Sequence, residues 1–154
     1  MITKNVNIRF FLFFIASILI ACTHIENGNE IKISSHGEKE SHNLGKNCLS
    51  CHKQGGDGEG WFKMAGSVWS ADGSKGKENV TIELYTGENG TGEKKYYLEG
   101  DQLGNFYTTE NIDFSKGLYP SVQNGNQKLF MSSPIFSGAC NSCHGVSTDK
   151  IKLQ

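Results

Sequence analysis

Three regimes of hydrophobic patterning divide the chain. Residues 10–21 form one apolar run broken only by Ser17, too short to span a bilayer comfortably. From 22 to 41 the residues are mostly Glu, Asn, Ser, Gly and Lys, with little periodicity beyond a brief Ile31-Lys32-Ile33 alternation, and this stretch reads as a flexible, solvated tether. From Trp61 onward, short runs rich in aromatic and β-branched residues are separated by Gly, Asn and Asp clusters. That pattern predicts strands over 61–70, 80–86, 95–99, 104–109, 118–122 and 128–132. In the second run Val80, Ile82 and Leu84 alternate with Thr81, Glu83 and Tyr85, the period-two signature of a half-buried strand. Between runs, Ala71-Asp72-Gly73, Glu88-Asn89-Gly90-Thr91-Gly92, Asp101-Gln102-Leu103-Gly104 and Asn124-Gly125-Asn126 supply residues that tolerate positive φ. The expected fold is mainly β: a small antiparallel β-sandwich of six to seven strands over 61–132, flanked by loop or short-helix segments at 42–60 and 133–154.

Composition narrows the function. With 154 residues there is material for one folded domain. Lys and Arg total 15 against 16 Asp and Glu, and Arg9 is the sole arginine, so no basic patch stands out to neutralise a row of phosphates. Nucleic-acid binding is not expected. Lys4 and Arg9 around the start of the apolar run give 1–21 the layout of a signal peptide. The run ends in Leu19-Ile20-Ala21-Cys22, which resembles a bacterial lipobox. The resemblance implies a lipid on the Cys22 thiol, cleavage before Cys22, and a chain anchored at the bacterial cell envelope, periplasmic or on the outer surface. Loss of 1–21 leaves 13 basic against 16 acidic groups, a formal charge of −3. Several acyl chains on one residue anchor firmly, since each buried methylene contributes about 0.8 kcal/mol.

The other four cysteines form two Cys-x-x-Cys-His pentapeptides, Cys48-Leu49-Ser50-Cys51-His52 before the β region and Cys140-Asn141-Ser142-Cys143-His144 after it. Both match the attachment sequence of c-type cytochromes. Two thiols three positions apart can add to the two vinyl groups of one haem, and the adjacent histidine then reaches the iron as proximal ligand. The spacing therefore predicts two covalently attached haem c groups, one on Cys48, Cys51 and His52, the other on Cys140, Cys143 and His144. Zinc clipped between the two pairs, and disulfides or a redox dithiol, are the competing readings. Zinc does not require a histidine after each second cysteine, and no thioredoxin-like βαβ pattern surrounds either pair.

For a second axial ligand the chain offers few donors. His42, six residues before Cys48, and Met131, nine before Cys140, are the best placed as iron ligands. Met64 reads as core filler, and His24 and His36 fall in the expected tether. Trp61 and Phe62, and likewise Pro134, Ile135 and Phe136, are expected to wall the sandwich core or a porphyrin face.

Two resemblances complete the reading. Ala65-Gly66-Ser67-Val68-Trp69, Leu103-Gly104-Asn105-Phe106-Tyr107 and Gly117-Leu118-Tyr119-Pro120-Ser121-Val122 resemble, in that order, the carboxypeptidase regulatory-like or transthyretin-like β-sandwich over residues 62–132. That likeness implies a scaffold and names no activity. With His42-Asn43-Leu44-Gly45-Lys46-Asn47 before the first motif and residues 130–133 and 137–139 before the second, the chain also resembles exported di-haem proteins that carry one motif on either side of such a sandwich. This likeness implies a lipid-anchored cytochrome that exchanges single electrons with redox partner proteins. The alternative is a non-redox lipoprotein, clipped by zinc or disulfides, whose sandwich binds a protein or carbohydrate. A haem enzyme is not expected, since no acid/base constellation accompanies either motif.

Overall fold

The computed structural model describes residues 31–154. The expected signal peptide, the Cys22 lipidation site and His24 lie outside the described residues. Eight strands are present among those described: β1 (Met64–Ser70), β2 (Thr81–Tyr85), β3 (Lys94–Glu99), β4 (Asn105–Thr108), β5 (Tyr119–Asn124), β6 (Gln127–Phe130), β7 (Gly138–Ala139) and β8 (Ile151–Leu153). They form two four-stranded sheets, one ordered β3-β2-β5-β6 and fully antiparallel, the other built on β1. No helix among the described residues is long and apolar enough to cross a membrane.

Alternation explains the packing. In β2, Ile82 and Leu84 face the interior, where they meet Met64 and Val68 of β1, Leu98 of β3, Phe106 of β4, Val122 of β5 and Leu153 of β8 in one buried cluster. The opposite face of β2 carries Glu83, buried beneath Lys94, Lys128 and Tyr85, all of which donate hydrogen bonds to its carboxylate. All six strands expected from the pattern are present with shifted ends. The first begins at Met64 rather than Trp61, because Phe62 stacks on His52 and gives its N–H to the His52 carbonyl instead of pairing with a strand.

The second sheet departs from expectation in a way that positions the site. β1 pairs antiparallel with β4 on one edge and parallel with β7 on the other, through Met64–Gly138 and Ala65–Ala139. Further along, Val68 and Ser70 hydrogen-bond through their β4-side edge to Gly104, Lys75 and Lys77, so β8 takes the β7 side, also parallel, at Val68–Ser70. The sandwich thus extends to residue 153 instead of ending at 132. Residues 140–150 are a loop that leaves and rejoins the same edge of β1.

The stretch 31–41, read from composition as tether, also packs. Ile33 bridges to Thr108, the Ser34 hydroxyl donates to the Glu99 carbonyl at 2.6 Å, and the His36 ring Nε2 lies 2.9 Å from the Val80 carbonyl. Its polar side chains satisfy backbone groups along the sandwich edge, which composition does not distinguish from solvation.

Candidate functional site

The two pentapeptides fold alike. Each opens with a single 3-10 turn, Cys48–Ser50 and Cys140–Ser142, after which the second cysteine takes a right-handed helical conformation. The central serine hydroxyl bonds back across the turn in both, Ser50 donating to the Asn47 carbonyl at 2.7 Å and Ser142 to the Ala139 carbonyl at 2.6 Å. Each histidine N–H closes back on the first cysteine, at 2.9 Å in one motif and 3.0 Å in the other.

The imidazoles are prepared in the same way. His52 Nδ1 lies 2.7 Å from the Glu59 carbonyl oxygen and His144 Nδ1 lies 2.9 Å from that of Asp149. A carbonyl oxygen only accepts, so Nδ1 carries a proton in each ring, and the neutral imidazole then has its lone pair on Nε2. That is the tautomer a metal-binding histidine needs, held by the kind of outer partner that fixes ring orientation. Neither carbonyl has a side-chain signature, so nothing in the sequence announces them.

Strand β1 holds both motifs, one on each face. Met64, Gly66 and Val68 point inward; Ala65, Ser67 and Trp69 point outward. On the outward face a buried polar chain ties down the lead-in to the first motif. Ser67 donates to Asn105 at 2.6 Å and accepts from the Gly45 N–H at 2.8 Å, while the Asn105 amide donates to Ser41 at 2.9 Å. On the inward side Gly66 leaves room for Cys140, whose Cβ would sit 2.9 Å from any Cβ placed at 66. Burial pushes the Cys140 thiol up to about 12, with repulsion from Cys48 and Cys143 adding to it. Burial raises Cys48 as well. Neutral sulfur suits these surroundings, and a thiolate does not.

The four cysteines are unpaired. Among the described residues no group of three or more His, Cys, Asp or Glu side chains converges to hold a metal ion.

Around the second motif the sandwich opens into a cavity of about 830 Å3. Cys140, Cys143 and His144 line it, with apolar residues including Val68, Phe106, Ile135 and Phe136 and a polar part at Thr148, Asp149 and Lys150. Met131 belongs to the same wall, as does Met64, which is fully buried. Pro134, Ile135 and Phe136 also line this cavity.

Around the first motif the setting is open. Cys51, Lys53, Asp57 and Glu59 are exposed, and the His52 ring stacks on Phe62 at 4.1 Å, with Phe62 stacking in turn on Tyr107 at 4.8 Å. The His42 ring centroid lies 6.0 Å from that of His52. His36, by contrast, is engaged by the Val80 carbonyl away from either motif. No protein-family model, no curated protein and no solved structure matches the chain.

Proposed function

We propose that this chain is a lipid-anchored di-haem c-type cytochrome that carries single electrons between redox proteins at the bacterial cell envelope, on a carboxypeptidase regulatory-like scaffold. The observation that carries the reading is the duplicate geometry: twice, two thiols and an imidazole are set on the same serine-bonded turn, with Nδ1 engaged by a backbone carbonyl and Nε2 unused by that bond. The serine bond follows from the shared Cys-x-Ser-Cys-His string, whereas the carbonyl partners of the two rings and the ties to β1 come from residues outside it.

The residues fit the group. Cys48 and Cys51, and Cys140 and Cys143, would hold one haem each through thioether bonds, with His52 and His144 as proximal ligands. A cavity of about 830 Å3 with mostly apolar walls lies within the size range of cofactor sites, and it opens directly onto Cys143 and His144. Bound there, haem supplies a one-electron iron couple. The protein's part is to orient each imidazole through Glu59 and Asp149, to give the second site an apolar wall with Phe106 and Ile135, and to hold both motifs on β1. His42 and Met131 are the candidate second ligands, since the His42 ring lies near that of His52 and Met131 lines the same cavity as His144.

The test is intact mass and peptide mapping of the full chain expressed in a host with cytochrome c maturation. Two haem additions, on the peptides bearing 48–52 and 140–144, are expected, together with a reduced-minus-oxidised spectrum of c-type shape. Four unmodified thiols, or a colourless protein with stoichiometric zinc, overturn the reading.

A further inference from the structure

The two sites are built from different donors in different dielectrics. Resting on the haem reading above, we infer that they are unequal by construction: a low-potential, solvent-facing histidine pair at His42 and His52, and a higher-potential, sulfur-facing centre at His144 and Met131. Electrons then enter at the first and leave from the second.

Donor placement carries the first half. Beyond the motif histidines, the described residues contain His36 and His42, and the His36 ring is bonded to the Val80 carbonyl. His42 is exposed, and its ring centroid is 6.0 Å from that of His52. That spacing makes His42 the described histidine that would be within reach of a group held by His52. The described methionines, Met64 and Met131, instead both line the cavity of His144. Met64 is fully buried in the core cluster, which leaves Met131, half-buried at the end of β6, as the thioether free to turn.

Surroundings carry the second half. A soft thioether favours ferrous iron relative to imidazole, and a low-dielectric pocket disfavours the more highly charged ferric state. Both effects act on the second site, between Val68, Phe106 and Ile135. At the first site the thioether effect is absent and burial reaches Cys48 while Cys51, Lys53, Asp57 and Glu59 stay exposed, so the apolar cavity beside His144 is what sets the second site apart. Transfer between them oxidises one iron from ferrous to ferric as it reduces the other from ferric to ferrous, with no proton moved and no bond made. A one-electron donor protein refills the first site and a one-electron acceptor protein empties the second.

The experiment is a spectroscopic redox titration of the full-length holoprotein. Two resolved one-electron waves are expected, with a sulfur-to-iron charge-transfer band in the oxidised spectrum. Met131→His removes the band and lowers the upper wave, changing its oxidised-to-reduced ratio at fixed potential at least tenfold, or about 59 mV for a one-electron couple. Met131→Leu, which keeps volume and strand pairing, also removes the band. His42→Ala moves the lower wave alone. Two haems with coincident waves, a band that survives both Met131 variants, or a His42 variant that moves the upper wave overturns the asymmetry while leaving the cytochrome reading standing. Absence of covalent haem removes both.

Discussion

Glu83 shows how much one side chain can carry on a small sandwich. Burial alone would raise its carboxyl, but hydrogen bonds from Lys128, Lys94 and Tyr85 outweigh that cost and hold it at about 2, against an ordinary 4.5. The stabilisation is fully present above the unfolded value near 4.5 and is lost as pH falls through the folded value near 2. Urea midpoints measured between pH 6 and pH 2 are expected to drop most steeply below 4.5, and Glu83→Gln is expected to flatten that drop. At neutral pH the same substitution costs about 2 kcal/mol, the scale of hydrogen bonds to a charged group. The motif residues are legible at this scale too, because their spacing is a property of the covalent chain. The carbonyls that set the histidine tautomers are not, since any residue could supply them.

At the scale of elements, β1 is the organising strand, and its partners differ in how they announce themselves. β2 is written in alternation; β7 is two residues long and has no period to read. What marks β7 is a close approach: a Cβ at Gly138 would collide with the Lys63 carbonyl and the Met64 backbone, neither of which can yield. Gly138→Ala is therefore expected to destabilise the fold by about 1–3 kcal/mol, the cost of overpacking, and, on the proposed haem reading, to lower occupancy at Cys140 and Cys143 more than at Cys48 and Cys51. Denaturant melts and site-resolved mass spectrometry check the two parts. The stretch 31–41 teaches the complementary lesson. Polar composition suggested solvation, but Ser34 and His36 spend their polar atoms on backbone carbonyls of the sandwich.

For the molecule as a whole, closure depends on the last strand. Leu153 is 1% exposed within the core cluster, and β8 returns the second motif loop to the edge it left. Leu153→Ala is expected to cost about 2–5 kcal/mol, as large-to-small core changes do. Removing residues 151–154 is expected to cost more and to free the loop that carries His144. Urea unfolding of both proteins, with limited proteolysis across 140–150, measures this.

Local order in the chain was enough to specify a mainly β scaffold and the two Cys-x-x-Cys-His units, because strand alternation and i, i+3 thiol spacing are short-range properties. Their shared seat on opposite faces of β1, the cavity that gathers Met131 with His144, and the nearness of His42 to His52 arise from contacts between segments far apart in sequence. Parallel pairing of β7 and β8 with β1 brings residues more than 70 positions apart onto one strand edge. No pattern confined to a few neighbouring residues encodes such a meeting, since it follows from how two sheets bury a common core.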